Sequence, residues 1–124
     1  MNIVLWVVAV VLALAFLAAG AMKLSRPKAA LAESGLGWVE DFSAGAVKGI
    51  GVVEVLGALG LVLPAVTGIA PVLVPLAATG LALTMVGAAV VHARRGETQM
   101  IAVNVVLLLL AAFVAWGRFG SYAF

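Results

Sequence analysis

The chain has 124 residues, of which 66% are hydrophobic and 10% charged, whereas a soluble domain is roughly half apolar and about a quarter charged. Seven Lys and Arg against five Asp and Glu leave a net charge of +2, too few basic residues for a nucleic-acid footprint. The absence of Cys excludes disulfides and thiolate chemistry, and the one histidine, His92, cannot by itself build a histidine metal cluster or a two-histidine haem site.

Four membrane helices of about 20 residues each would use about 80 residues and leave only short loops. The predicted fold is therefore all-α, a four-helix bundle within the membrane, forming one domain over residues 1–124. The first apolar run, 2–22, carries no charge and ends against Lys23, Arg26 and Lys28. A secretory signal has a basic start and a shorter apolar core of about 7–15 residues, so this run is expected to be a retained span. In the polar connector from Lys23 to Phe42, Ser25 is placed to cap a short helix reaching Ala32, which the Gly35/Gly37 pair would end. The second span is expected over 43–64, stopped by Pro64. After a short uncharged turn the third runs over 69–91, with Pro71 and Pro75 in its first turns and Pro75 deep enough to bend it. The charged loop from His92 to Glu97 then leads into a leucine- and valine-rich fourth span, 100–116.

Basic residues fall unevenly. Lys23, Arg26, Lys28, Arg94 and Arg95 belong to the first and third loops, whereas Arg118 alone marks the opposite side. The positive-inside rule puts those two loops in the cytoplasm and both termini outside, in a bacterial inner membrane. Trp6, Trp116, Phe119 and Tyr122 then share the outer interface, with Trp38 at the inner one.

Within the spans the polar residues are few. Lys48, about one turn into the second span, can snorkel to the inner surface along its own stem. Glu54 cannot: at about 1.5 Å per residue it sits roughly 15 Å in, and it must be protonated, paired or hydrated. Gly51, Gly57 and Ala58 lie on its helical face and would let another helix approach, so Glu54 should face protein. Lys48 and Glu54 point about 120° apart on one helix and are poor partners. Depth matching offers Thr84 and Asn104 instead, with Lys23 and His92 nearer the surface. His92, beside Arg94 and Arg95, reads as a solvated or headgroup-facing residue. Lys23, Lys48, Glu54, Thr84, His92 and Asn104 thus gather in the inner half, where they either register the helices or hold a ligand or a proton.

The ordered residues Phe16-x-x-x-Gly20-x-x-Lys23-Leu24, the run from Lys48 through Glu54-Val-Leu-Gly-Ala-Leu-Gly to Pro64, the His92 loop, Asn104 and Gly117-Arg118-Phe119 carry a resemblance. Over nearly its whole length the sequence resembles the DoxX-like family of small bacterial membrane proteins. The resemblance implies four spans and an association with membrane oxidoreductase complexes, and it transfers no catalytic residue.

The expected function is a non-catalytic membrane subunit without a cofactor of its own, surrounded by lipid. Its inner polar cluster would serve a protein partner, a second copy, or a quinone or other lipophilic ligand. Two other readings differ in class. A small proton-coupled carrier would use Glu54 alternately for proton and substrate, and a quinone-reducing site would use Lys48 and Glu54 as contacts to the ring.

Overall fold

The computed structural model describes residues 1–33 and 37–124. Five α-helices follow in order: α1 (Asn2–Ser25), α2 (Lys28–Glu33), α3 (Ala44–Thr67), α4 (Leu73–Arg94) and α5 (Thr98–Phe119), with a 3-10 helix at Gly37–Asp41 between α2 and α3. No strand occurs among the described residues. The helices α1, α3, α4 and α5 are each long and apolar enough to cross a membrane, so the predicted all-α fold with four spans stands.

Local sequence explains each boundary, and in several places corrects the expected one. Ser25 does not cap α2 but is the last residue of α1; Arg26 is extended because Pro27 disfavours the helical region for the residue before it. Pro27 then opens α2 by accepting from the amide of Leu31 at 3.1 Å. Gly37 starts the 3-10 helix, while Gly35 lies outside the described residues. Ser43 caps α3, its hydroxyl accepting from the Ala46 amide at 3.1 Å.

Pro64 does not stop α3. It forgoes its own amide bond to the turn before, yet the helix runs on to Thr67 before Gly68, with φ of 73°, closes it by donating to the Pro64 carbonyl at 3.0 Å. Pro71 precedes α4, and Pro75 is its third residue, where an amide would have no partner inside the helix. The amide of Val74 already bonds the Pro71 carbonyl at 3.0 Å. Pro75 therefore starts the helix rather than bending its middle.

The spans run alternately up and down. The end that carries residues 26–43 and the α4–α5 turn is called the connector end below, and the end that carries both chain termini the terminal end. Packing is most extensive between α1 and α3 and between α4 and α5, weaker between α3 and α4, and sparsest between α1 and α5. The bundle is thus two tight pairs laid against each other. Towards the terminal end a continuous apolar core, including Leu12, Phe16, Ala58, Leu61, Val74, Ala78, Leu81, Ala111 and Val114, fills the space between the pairs. At the connector end a second cluster, Leu31, Trp38, Val39 and Val47, covers the bundle like a plug.

Glycines set the distances between helices. A Cβ on Gly20 would come within 2.7 Å of the Gly51 carbonyl oxygen, so the α1 and α3 backbones touch at that crossing. On the other side of α3, a Cβ on Gly57 would meet Leu81 of α4 at 2.6 Å, and one on Gly60 would meet the Ala77 Cβ at 2.8 Å. Ala58 is buried in the core. Gly51, Gly57 and Ala58 therefore pack against helices of their own chain.

Candidate functional site

Between the two helix pairs, on the connector-end side of Phe16, lies a cavity of about 450 Å³. It is lined by all four spans and by Trp38 and Phe42 of the connector. Of the six polar residues expected to cluster, Lys23, Glu54, Thr84, His92 and Asn104 line it and Lys48 does not.

Helix direction explains why Lys23 belongs to the site and Lys48 stands apart. Side chains on an α-helix lean towards its N-terminus. Helix α1 runs towards the connector end, so Lys23, near its last turn, leans back into the membrane. Helix α3 runs away from that end, so Glu54 leans back towards it. The two meet, with the Lys23 ammonium donating to the Glu54 carboxylate (Nζ to Oε1) at 2.6 Å. Lys48, on α3, leans outward and donates to the carbonyl of Leu24 at 2.9 Å, with the carbonyls of Lys23 and Arg26 at 3.4 and 3.5 Å. It satisfies the unpaired carbonyls at the C-terminus of α1, where positive charge is favoured.

The pair is well enclosed: Glu54 is 4% exposed. The Lys23 ammonium also lies 5.7 Å from the centre of the Trp38 ring, within range of a cation–π attraction. Trp38 stands edge-on to His92, ring centres 6.4 Å apart, and to Phe42 at 5.7 Å. His92 is neither solvated nor headgroup-facing: it is 4% exposed, because α4 continues to Arg94 and the connector folds over it. Its Nδ1 contacts the Glu97 Oε1 at 2.9 Å, and the Arg95 Nε lies 3.4 Å from the same oxygen. The charges at this mouth are thus held together in one local network.

Thr84 and Asn104 behave differently. The Thr84 hydroxyl donates back to the Gly80 carbonyl at 2.9 Å, a bond within its own helix that offers nothing to Glu54. Asn104 is buried, and its Nδ2 finds no hydrogen-bond partner. A buried amide donor left unmade costs roughly 1–3 kcal/mol. It lies on a helix whose other cavity-lining residues are Met100, Val103 and Leu107.

The DoxX-like family profile matches residues 7–114. The chain belongs to the DoxX-like family. No curated protein and no solved structure matches it. In this DoxX-like protein, Lys23, Glu54, His92 and Asn104 all fall inside the matched region, whereas Asn2, Arg118, Tyr122 and Phe124 lie outside it.

These four residues form a unit of their own at the terminal end, one that no expectation above assembles. Arg118 is only 5% exposed. Its guanidinium donates to the Asn2 Oδ1 at 2.7 Å and to the Tyr122 carbonyl at 2.9 Å, and lies 3.9 Å from the centre of the Phe124 ring. It ties the start of α1 to the end of α5. A lone arginine among aromatics near the end of a span is the signal that could have found it. Trp38 was also missed as a lining residue, since an interfacial tryptophan and a plug residue look alike in sequence.

Proposed function

We propose that this multi-pass DoxX-like protein is a non-catalytic component of the bacterial inner membrane that holds a small lipophilic ligand in the cavity between its helix pairs. Its connector end would face the cytoplasm and its termini the outside, as the five-to-one distribution of basic residues favours. The family's association with membrane oxidoreductases supplies the setting, in which the protein serves a partner chain or a second copy as accessory.

The observation that carries the reading is the unpartnered Asn104 amide beside a cavity of about 450 Å³ whose remaining walls are mostly apolar. Ligand pockets are commonly about 300–1,000 Å³, lined by apolar groups with a few placed polar ones. A carbonyl or similar acceptor on a ligand would satisfy Asn104. The Lys23–Glu54 pair already neutralises itself and asks for no charged guest. The carrier reading is weaker, because the apolar core from Leu12 to Val114 lies between the cavity and the terminal end with no polar step through it.

The test is extraction in a mild detergent followed by mass spectrometry of the small molecules that stay bound. Wild type should retain a lipophile that Asn104→Leu loses while keeping its helix content. The same bound-molecule profile in both would sink the reading. A proton or solute flux through vesicles of wild type, abolished in Glu54→Gln, would instead favour the carrier.

A further inference from the structure

We infer that the cavity is filled sideways from the bilayer, through the seam between α1 and α5, by a neutral single-chain lipophile whose head carries a hydrogen-bond acceptor for Asn104. The inference rests on the ligand-holding reading above and adds the route and the chemical class.

The other ways out are narrower or closed. The α1–α3 seam is sealed where the backbones touch at Gly20 and Gly51. Between α3 and α4, Gly57 and Gly60 hold the helices together in the terminal half. Nearer the connector, Phe42, Ile50 and Val91 pack onto the plug of Leu31, Trp38, Val39 and Val47, which also roofs the connector end, and this narrows the α3–α4 seam, where the exposed Gly87 lines the cavity, without sealing it. The α4–α5 pair is the most closely packed of all.

The α1–α5 seam differs from end to end. At the terminal end it is clasped: Arg118 holds Asn2 at 2.7 Å, and Gly117 lies so close to Leu5 that an added Cβ would stand 2.7 Å from its methyls. Over their whole length these two helices make the sparsest contact of the four neighbouring span pairs, and in the connector half both contribute cavity wall, Ala15 and Ala19 from one side and Val103 and Leu107 from the other. Ala15 is exposed and Val103 is 48% exposed. Counted from the helix ends at about 1.5 Å per residue, these four lie roughly 8–15 Å into the membrane. That depth falls within the hydrocarbon of one leaflet, about half of 30 Å. A guest using this route arrives from lipid, and its chain can remain in the seam while its head reaches Asn104.

Head chemistry follows from the walls. Lys23 and Glu54 cancel each other at 2.6 Å, and His92 is engaged by Glu97. A charged head would lack a counter-charge, whereas an ester or ketone oxygen would take the unused Asn104 donor.

The test uses the fluorescence of Trp38, which lines the cavity, in a Trp6→Phe/Trp116→Phe background reconstituted into phosphatidylcholine vesicles. The probe is the methyl ester of dibromostearic acid, whose bromines quench tryptophan on contact. The ester should quench Trp38 saturably, and Asn104→Leu should abolish the saturable part. Val103→Phe and Ala15→Phe should slow its onset by about tenfold by filling the gap between the helices. Ala19→Leu should slow it less, and Leu14→Phe, facing lipid beside the seam, should leave it unchanged. Helix content and gel-filtration profile verify that each variant is folded. Wild-type onset in folded seam variants would overturn the route while leaving a bound ligand in place. Equal quenching by a permanently charged alkyl sulfonate with the same brominated chain would overturn the neutral head. No saturable quenching in the wild type by either probe would remove the ligand-holding reading itself.

Discussion

The Lys23–Glu54 pair offers the sharpest check on the direction argument that assembled the site. At 2.6 Å and an effective dielectric near 20, the attraction between the charges is about 6 kcal/mol before desolvation is charged against it. Removing one member of a buried pair costs about 3–5 kcal/mol when the survivor is stranded. The two members are not equally stranded. Lys23 is two residues from the end of α1 and has a flexible stem, so in Glu54→Gln it can turn towards the connector-end surface, at a cost of about 1–2 kcal/mol for the lost bond. Glu54, the eleventh residue of α3, has no such way out, so Lys23→Met should cost the full 3–5 kcal/mol or so.

The double variant removes both charges and should destabilise little more than Glu54→Gln alone. The coupling in a double-mutant cycle should therefore be at least about 2 kcal/mol. Equilibrium unfolding by titrating sodium dodecyl sulfate into dodecylmaltoside micelles, followed by far-ultraviolet circular dichroism, measures all four proteins. Additive losses, or a larger loss in Glu54→Gln than in Lys23→Met, would refute the reasoning.

Further outcomes follow from the same contacts. Gly57→Leu should separate α3 from α4 and destabilise the bundle by about 1–3 kcal/mol, and Leu81→Ala should recover part of that loss in the same titration. Arg118→Lys should fail to restore what Arg118→Ala loses, about 1.5–3 kcal/mol, because an ammonium cannot both bridge Asn2 to Tyr122 and lie flat on Phe124. Asn104→Leu should hold or raise the thermal midpoint of ligand-free protein by removing a buried unpaired donor; a clear fall would mean that Asn104 has a structural partner. Reporter fusions after Lys28, Gly68 and Glu97 should read cytoplasmic, extracytoplasmic and cytoplasmic in turn; an extracytoplasmic signal at Lys28 or Glu97 would reverse the orientation.

How much of this could be read from the chain depended on whether the physics was local or directional. Hydropathy located the four spans because it is a property of each segment alone, and Ser43, the expected start of the second span, caps α3 through a rule that needs no neighbours. Pro64 misled because a proline forgoes only its own bond to the turn before, while its carbonyl can still accept from Gly68, so it need not end the helix. Depth matching brought Thr84, His92 and Asn104 to the right level, yet it assigned the wrong partners to Glu54, since Thr84 spends its hydroxyl on its own helix. The missing ingredient was the lean of side chains towards the N-terminus of each helix. With α1 and α3 antiparallel and touching at Gly20 and Gly51, that lean brings a lysine at the end of α1 and a carboxylate mid-way along α3 together, and turns Lys48 away to cap α1. The cavity itself was not legible because it results from a mismatch: small residues pull α1 onto α3, the α4–α5 pair packs separately, and the plug holding Trp38 keeps the space between the pairs from opening to water.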